Sequence, residues 1–337
     1  MIQEAIIQLV SGENLPRDTA FAVMNEIMNG DTTPAQFGSF VTALRLKGET
    51  SEEISGMAMG MRENALRVVS DGHLVDTCGT GGDGSQSINV STIAAFVVAG
   101  AGLKVAKHGN RSITSLCGSA DVLEAAGVKI EIGPSAVEQC IKEVGIGFMF
   151  APIFHPAMRH AAAPRREIGI RTVFNILGPL TNPAGADSQV LGIADGSLGL
   201  KMAEVLRLLG SKHAIVVHGE NGMDELSISG SSSIWELNRD EISEYKVHPT
   251  DFGISLASSD SIKSSGKENN LLVMEQVLKG LHGPATDIVI LNAAAALVAG
   301  DLAETMNNGI ELARHSIESG AAITKLESLV DLSQQLS

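Results

Sequence analysis

The chain has 337 residues, is 44% hydrophobic and 19% charged, and carries a formal net charge of −15. That apolar content excludes a disordered acidic chain. The excess of acid excludes a general attraction to nucleic acid or anionic membrane, so any bound phosphate has to be held by a local site.

Aromatic residues make up only 3%, which argues against stacking platforms for single strands. Cys78, Cys117 and Cys140 are odd in number and lack metal-ligand spacing. They read as buried or spectator thiols in a reducing cytoplasm. The start, Met1 to Glu4, has no basic n-region, so no signal peptide is expected. The charge-free window Gly84–Leu103 is too short and too polar at one end to span a bilayer.

Residues 1 to about 70 read as helices only. Arg17–Asn29 has helical apolar spacing and stops at Gly30. Thr33, Pro34 and Gln36 combine an N-cap, an N1 proline and a capping box. A further helix is predicted from Ser51 to about Arg67. From Leu74 strands and helices alternate. Strands are predicted at Leu74–Thr77, Lys104–Lys107, Val128–Ile132, Phe148–Ala151, Gln189–Ile193, Ala214–His218 and Ser233–Leu237. An apolar helix runs to about Ala101, another follows Ser119, and Ser135 with Glu138 forms a capping box. Later helices are predicted at Gly199–Leu209, Asn270–Leu281, Thr286–Ala299, Leu302–Ser319 and Ala322–Leu332. Ser255–Asn270 reads as a polar loop.

The pattern predicts an α/β protein. A small N-terminal helical domain, 1–70 with part of 154–186, precedes a larger domain, 72–153 and 187–337. The larger domain has a mostly parallel sheet flanked by helices.

Gly79-Thr80-Gly81-Gly82-Asp83-Gly84 follows a strand and precedes a helix. It matches the dinucleotide fingerprint, which also wants an acid about 20 residues on. No acid occurs between Asp83 and Asp121, and no Walker Lys-Ser/Thr follows. What remains is a glycine turn at a helix N-terminus whose amides can cradle an anion. Asn89, Ser91 and Thr92 add donors. A second group of donors, Lys107 to Ser115, falls where the next strand ends, the position at which open α/β sheets bind ligands. Two donor-rich loops at adjacent strand ends suggest a ligand with two separated phosphate groups.

Asp76 with Gly79-Thr80-Gly81-Gly82-Asp83, then Asn89–Thr92, Lys107–Arg111 and Gly118–Asp121, resemble the anthranilate phosphoribosyltransferase family. His155–Met158, Arg165–Glu167, Arg171–Pro183 and Val217–Glu225 extend the likeness over nearly the whole chain. The resemblance implies a nucleoside phosphorylase/phosphoribosyltransferase-like fold, a homodimer formed through the helical domain, and a step of tryptophan biosynthesis. In that step anthranilate and phosphoribosyl pyrophosphate give N-(5-phosphoribosyl)anthranilate and pyrophosphate. By the same resemblance, phosphoribosyl pyrophosphate would contact Gly79, Gly82, Asp83, Ser87, Asn89, Val90, Ser91, Thr92, Lys107, His108, Gly109, Asn110, Arg111, Ser112, Ile113, Thr114, Ser115 and Ser119. Mg²⁺ would be held by Ser91, Asp224 and Glu225. Anthranilate would touch Gly79, Asn110 and Arg165, with no residue acting as general base.

Three positions depart from the family pattern: Ser87 for Thr, Cys117 for Ser, and Pro164 for Val. A proline disfavours a helix interior, so a helix is expected to start or kink at Pro164. Two rival readings are a pyrimidine nucleoside phosphorylase and a noncatalytic nucleic-acid-binding relative. The first would carry Lys-His-Ser-Thr-Gly-Gly in place of Asp76–Asp83. The second calls for a basic face, which a charge of −15 does not favour.

Overall fold

A computed structural model describes residues 1–112 and 116–336. The expected contacts of Ile113, Thr114 and Ser115 lie outside the described residues. Four helices open the chain: α1 (Ile2–Val10), α2 (Arg17–Asn29), α3 (Pro34–Lys47) and α4 (Ser51–Glu63). Gly30 ends α2 in the left-handed conformation at φ 80°. At the start of α3 the Thr33 hydroxyl accepts from the Gln36 amide, and the Gln36 side chain accepts from the Thr33 amide. Thr50 and Glu53 repeat this box at α4. Glu53 is fully buried. It accepts from the Leu15 amide at 2.8 Å and from Lys47 Nζ at 2.9 Å, which ties three segments of the bundle together.

The α4 helix stops short of the predicted Arg67. Beyond Glu63 the chain turns to other partners: the Leu66 amide donates to Phe154 O and the Val68 amide to Pro183 O.

Seven strands form one sheet: β1 (Leu74–Gly79), β2 (Lys104–Gly109), β3 (Ile146–Phe150), β4 (Ser188–Gly192), β5 (His213–Gly219), β6 (Ser232–Asn238) and β7 (Glu241–Val247). Their order is β3-β2-β1-β4-β5-β6-β7. The first five are mutually parallel, and β6 and β7 are antiparallel. The chain moves outward from β1 to β3 and then returns to place β4 on the other side of β1. That reversal opens a crevice beyond the carboxyl ends of the strands, where ligands of open α/β sheets bind.

Two expectations from strand patterning fail. Val128–Ile132 alternates as a strand should, and Val128, Ile130 and Ile132 are buried. Yet the Lys129 amide donates to Ser333 Oγ on the C-terminal helix Ala321–Gln335, so the segment is extended but unpaired in the sheet. Conversely, β7 is not among the predicted strands, because its outer residues lack clear alternation. It exists because a tight turn with Arg239 at φ 57° folds it back onto β6 in register.

The Ser135–Glu138 box is also replaced. Pro134 starts that helix, with Gly133 at its N-cap. The last helices begin or end a few residues from their predicted limits, at Lys267–Leu278, Pro284–Ala299, Met306–Glu318 and Ala321–Gln335.

Helix α5 (Val90–Gly100) and the helices from Pro284 onward bury one face of the sheet. The helix Gly199–Leu208 packs on the other face and carries the α1–α4 bundle against it. Residues of 154–186 join that second core. Ala161, Phe174, Leu177 and Leu180 cluster with the bundle, and the Phe37 and Phe174 rings lie 5.3 Å apart.

Candidate active site

The loop after β1 turns sharply, with Gly81, Gly82 and Gly84 at φ 65°, 72° and 73°. Side chains rarely adopt this backbone region, and glycine enters it freely. A Cβ at Gly82 would also lie 2.3 Å from Arg171 Nη1. Arg171 clamps the outside of the turn by donating to Gly82 O at 3.1 Å and Gly81 O at 3.3 Å. The polar stretch 255–270 braces the other end. The Ser264 amide donates to Gln86 O, and the Ile88 amide donates to Ile262 O.

The turn delivers the chain to the N-terminus of α5, where the Asn89 side chain does not cap the helix. It donates instead to Cys117 O at 3.1 Å. The Ser91 amide of α5 donates to Glu225 Oε1 at 3.0 Å, and the Gly81 amide donates to Asp224 Oδ2 at 2.8 Å. Both acids lie on the segment that leaves β5. The sheet order therefore brings residues 83, 91, 107 and 224–225 to one mouth.

A cavity of about 360 Å³ occupies that mouth. Its wall contains Gly79, Gly82, Asp83, Ser87, Asn89, Val90, Ser91, Thr92, Lys107, His108, Gly109, Asn110, Arg111, Ser112, Ser119, Asp224 and Glu225. Arg171, Asn175 and Thr80 line it as well, in addition to the contacts expected from the sequence. The signal was available, since all three fall within motifs that carry the family resemblance and Arg171 opens one of them.

A second cavity, of about 550 Å³, adjoins the first and shares Gly79, His108 and Asn110 with it. Met61, Pro156, Met158, Phe174 and Pro179 make its remaining wall largely apolar, with His155 and Arg165 set among them. Arg165 is absent from the first cavity and present here. Its guanidinium lies 5.2 Å from the Phe174 ring centre and donates to Phe174 O at 3.5 Å. The helix Arg159–Ile168 runs through Pro164 and does not begin there. Gly169, at φ 67°, ends it.

The charges are arranged in two groups. Lys107, 3% exposed, donates through Nζ to Thr77 O. Burial lowers its pKa, against the pull of Asp76. Asp76 is pushed up to about 6 by burial, although Lys107 and the Asn182 amide favour its charged form. Burial and then the negative charge of Asp224 push Glu225 up to about 8, against the pull of Lys107. Asp224 is raised by burial and by Asp83. Three carboxylates, Asp83, Asp224 and Glu225, thus share the mouth with one buried lysine. They do not form a closed cluster of three or more His, Cys, Asp or Glu ligands among the described residues. The adjacent acids Asp224 and Glu225 beside an amide-lined cavity suit a hard cation bound by one or two carboxylates and completed by substrate phosphates and water, as Mg²⁺ commonly is.

Two further groups differ in posture from free donors. Arg111 is held by Glu124 at 2.8 Å and 2.9 Å and by Asp121 at 3.2 Å. The His108 and His155 rings meet at a tilt of 54°, with their centres 5.0 Å apart. Burial lowers them to about 3 and about 4, so both are neutral near pH 7.

A helical bundle joined to a switch-point α/β sheet defines a class of glycosyl transferases. Residues 3–65 match the glycosyl transferase family, helical bundle domain, and residues 71–323 match the glycosyl transferase family, a/b domain. The chain is 53% identical to the anthranilate phosphoribosyltransferase of Dehalococcoides mccartyi, over 100% of this chain and 99% of that one. It is also 53% identical to the Chloroflexus aurantiacus protein of that name, over 99% of each. The crystal structure of anthranilate phosphoribosyltransferase from Thermus thermophilus superposes with a TM-score of 0.93 at 43% identity, over 98% of this chain and 99% of that one. The Saccharomyces cerevisiae enzyme, solved in complex with PRPP and Mg, gives 0.91 at 28% identity, over 99% and 98%. The chain belongs to the anthranilate phosphoribosyltransferase family.

Proposed function

We propose that the chain transfers the phosphoribosyl group of phosphoribosyl pyrophosphate to the amine of anthranilate, releasing pyrophosphate, in tryptophan biosynthesis. The observation that carries this reading is the pair of unlike cavities meeting at Gly79 and Asn110. One is rich in backbone amides, hydroxyls and acids, and suits a phosphorylated sugar. The other is mostly apolar, with the guanidinium groups of Arg159 and Arg165 in its wall, and suits an aromatic carboxylate.

In this reading the glycine turn, Ser87–Thr92, Lys107–Ser115 and Ser119 hold the sugar diphosphate. Ser91, Asp224 and Glu225 would hold Mg²⁺, and Gly79, Asn110 and Arg165 would hold anthranilate. Mg²⁺ bound there would supply positive charge next to the departing diphosphate. An aromatic amine is already neutral near pH 7 and needs placement more than deprotonation. Two neutral histidines beside it fit that requirement. The partition into a bundle unit, 1–70 with part of 154–186, and an α/β unit belongs to the same proposal, since the second cavity takes its walls from both.

We also infer a homodimer through the bundle. Ile7 and Val10 on α1 and Leu46 on α3 are 67%, 73% and 82% exposed, a cost in water that a partner would remove. Sedimentation at micromolar concentration should give twice the chain mass. No helix among the described residues is long and apolar enough to cross a membrane. No disulfide joins Cys78, Cys117 or Cys140 among the described residues, and a cytoplasmic location is the matching proposal.

The decisive assay mixes the protein with anthranilate, phosphoribosyl pyrophosphate and Mg²⁺ and follows anthranilate fluorescence. Its loss in the complete mixture, and persistence when the protein, phosphoribosyl pyrophosphate or Mg²⁺ is left out, is the expected result. Persistence in the complete mixture would refute the proposal.

A further inference from the structure

Asp224 and Glu225 lie on an irregular segment beyond β5, past the last ladder pairs of that strand. Two residues outside the cavity wall set the position of its backbone. The first is Gly192, the last residue of β4. A Cβ there would sit 1.6 Å from Asp224 O and 2.4 Å from Asp224 C. The peptide of Asp224 therefore crosses directly over Gly192, and no larger residue leaves it there.

The second is Asn292, in the middle of the buried helix Pro284–Ala299. The Leu226 amide donates to Asn292 Oδ1 at 2.9 Å, and Asn292 Nδ2 donates to Leu226 O at 3.0 Å. The other Nδ2 hydrogen goes to Ile288 O at 2.9 Å. One side chain thus satisfies both polar groups of the residue next to Glu225. Leu226 is fully buried, and its amide and carbonyl would otherwise be left without partners at real cost.

Asn292 is 2% exposed and sits between Leu291 and Ala293, both buried, in a helix whose other inward residues are almost all aliphatic or alanine. Packing alone would be served by one more apolar residue. Neither Asn292 nor Gly192 lines either cavity at the site.

We propose that Asn292 and Gly192 are positioning residues that mount the Asp224–Glu225 pair at the mouth of the phosphate cavity from behind. The inference rests on the reading of that pair as Mg²⁺ ligands. It adds that the affinity for metal is set partly by a helix and a strand end that no ligand touches, as outer-shell partners do at other metal sites.

The test uses the full chain and calorimetric titration of Mg²⁺ in the presence of phosphoribosyl pyrophosphate, alongside kinetics and thermal unfolding. Asn292→Asp keeps the shape and the acceptor for the Leu226 amide but removes both donors. Gly192→Ala adds only the obstructing methyl. Each should raise half-saturating Mg²⁺ by about tenfold or more, with the anthranilate KM unchanged. The doubly substituted control Asp224→Asn, Glu225→Gln should shift it at least as far. If that control retains wild-type Mg²⁺ dependence, the metal reading itself falls. If the control shifts while Asn292→Asp and Gly192→Ala only unfold at lower temperature, the positioning role is overturned. Failure of both variants to fold would likewise assign the two residues to the core alone and overturn the proposal.

Discussion

At Gly82 two separate requirements meet in one residue. The backbone is in the left-handed region, and the space where a Cβ would stand is filled by Arg171. A β-branched residue there loses on both counts, at about 1–3 kcal/mol for the backbone alone. Gly82→Val should leave unfolding cooperative, lower its midpoint by several degrees, and abolish binding of phosphoribosyl pyrophosphate. Calorimetry and titration of this one variant check both effects. A stable variant with normal affinity would remove the turn from the site. Arg165 offers a contrasting case: partly buried in a mostly apolar wall that also carries Arg159, its guanidinium is placed to meet an acidic ligand. A charge-assisted hydrogen bond is worth about 1.5–3 kcal/mol. Arg165→Ala should therefore raise the anthranilate KM about ten- to a hundredfold and change the phosphoribosyl pyrophosphate KM much less. Steady-state kinetics with each substrate varied would show this, and the reverse ordering would place Arg165 elsewhere.

Between elements, the clearest electrostatic tie lies at the opposite end of the sheet from the cavities. His213 at the start of β5 meets Glu236 of β6 through Nε2 at 2.8 Å and Asp301 through Nδ1 at 3.1 Å. Tyr245 of β7 donates to the same Glu236 at 2.7 Å. A histidine bonded to carboxylates through both ring nitrogens is best satisfied as the imidazolium, which donates twice. Burial by itself lowers its pKa, but Glu236 and then Asp301 outweigh burial and raise it. A histidine with a raised folded pKa contributes its full stabilisation below its unfolded value of ~6.5 and loses it as pH rises through the folded value. The unfolding midpoint should therefore fall as pH rises above the unfolded value of ~6.5, and fall less in His213→Gln. Equal slopes for the two proteins would show that this bridge does not stabilise the β5–β7 edge.

Across the whole molecule, the segment 154–186 links the bundle core to the phosphate turn. Phe174, Leu177 and Leu180 are buried with the bundle, while Arg171 reaches out to the carbonyls of Gly81 and Gly82. The two cavities are thereby coupled through one stretch of chain. Arg171→Ala should raise the phosphoribosyl pyrophosphate KM by about tenfold, the scale of one charge-assisted bond, with little loss of thermal stability because Arg171 is exposed. An unchanged KM would mean that the turn holds its shape without the clamp.

The legible features were those set by neighbours in the chain. The ends of α2 and α3 follow from Gly30, Thr33 and Gln36, because caps act within one turn of helix. The glycine turn was legible because its backbone conformation admits few other residues, and the parallel sheet because strands and helices alternate. The motifs that carry the family resemblance lie on loops, where composition reports contact with a ligand more than packing. Other features depended on where the chain returns in space. Alternation buried Val128, Ile130 and Ile132 as a strand would, yet Ser333, far along the chain, took the Lys129 amide that would have joined a ladder. Strand β7 had no pattern of its own and was made by its pairing with β6. The second cavity, the clamp of Arg171 and the grip of Asn292 on Leu226 each join residues far apart in sequence. Short-range preferences set the elements and their ends. The order of strands about β1, which no local preference encodes, decided which loops and acids share a site.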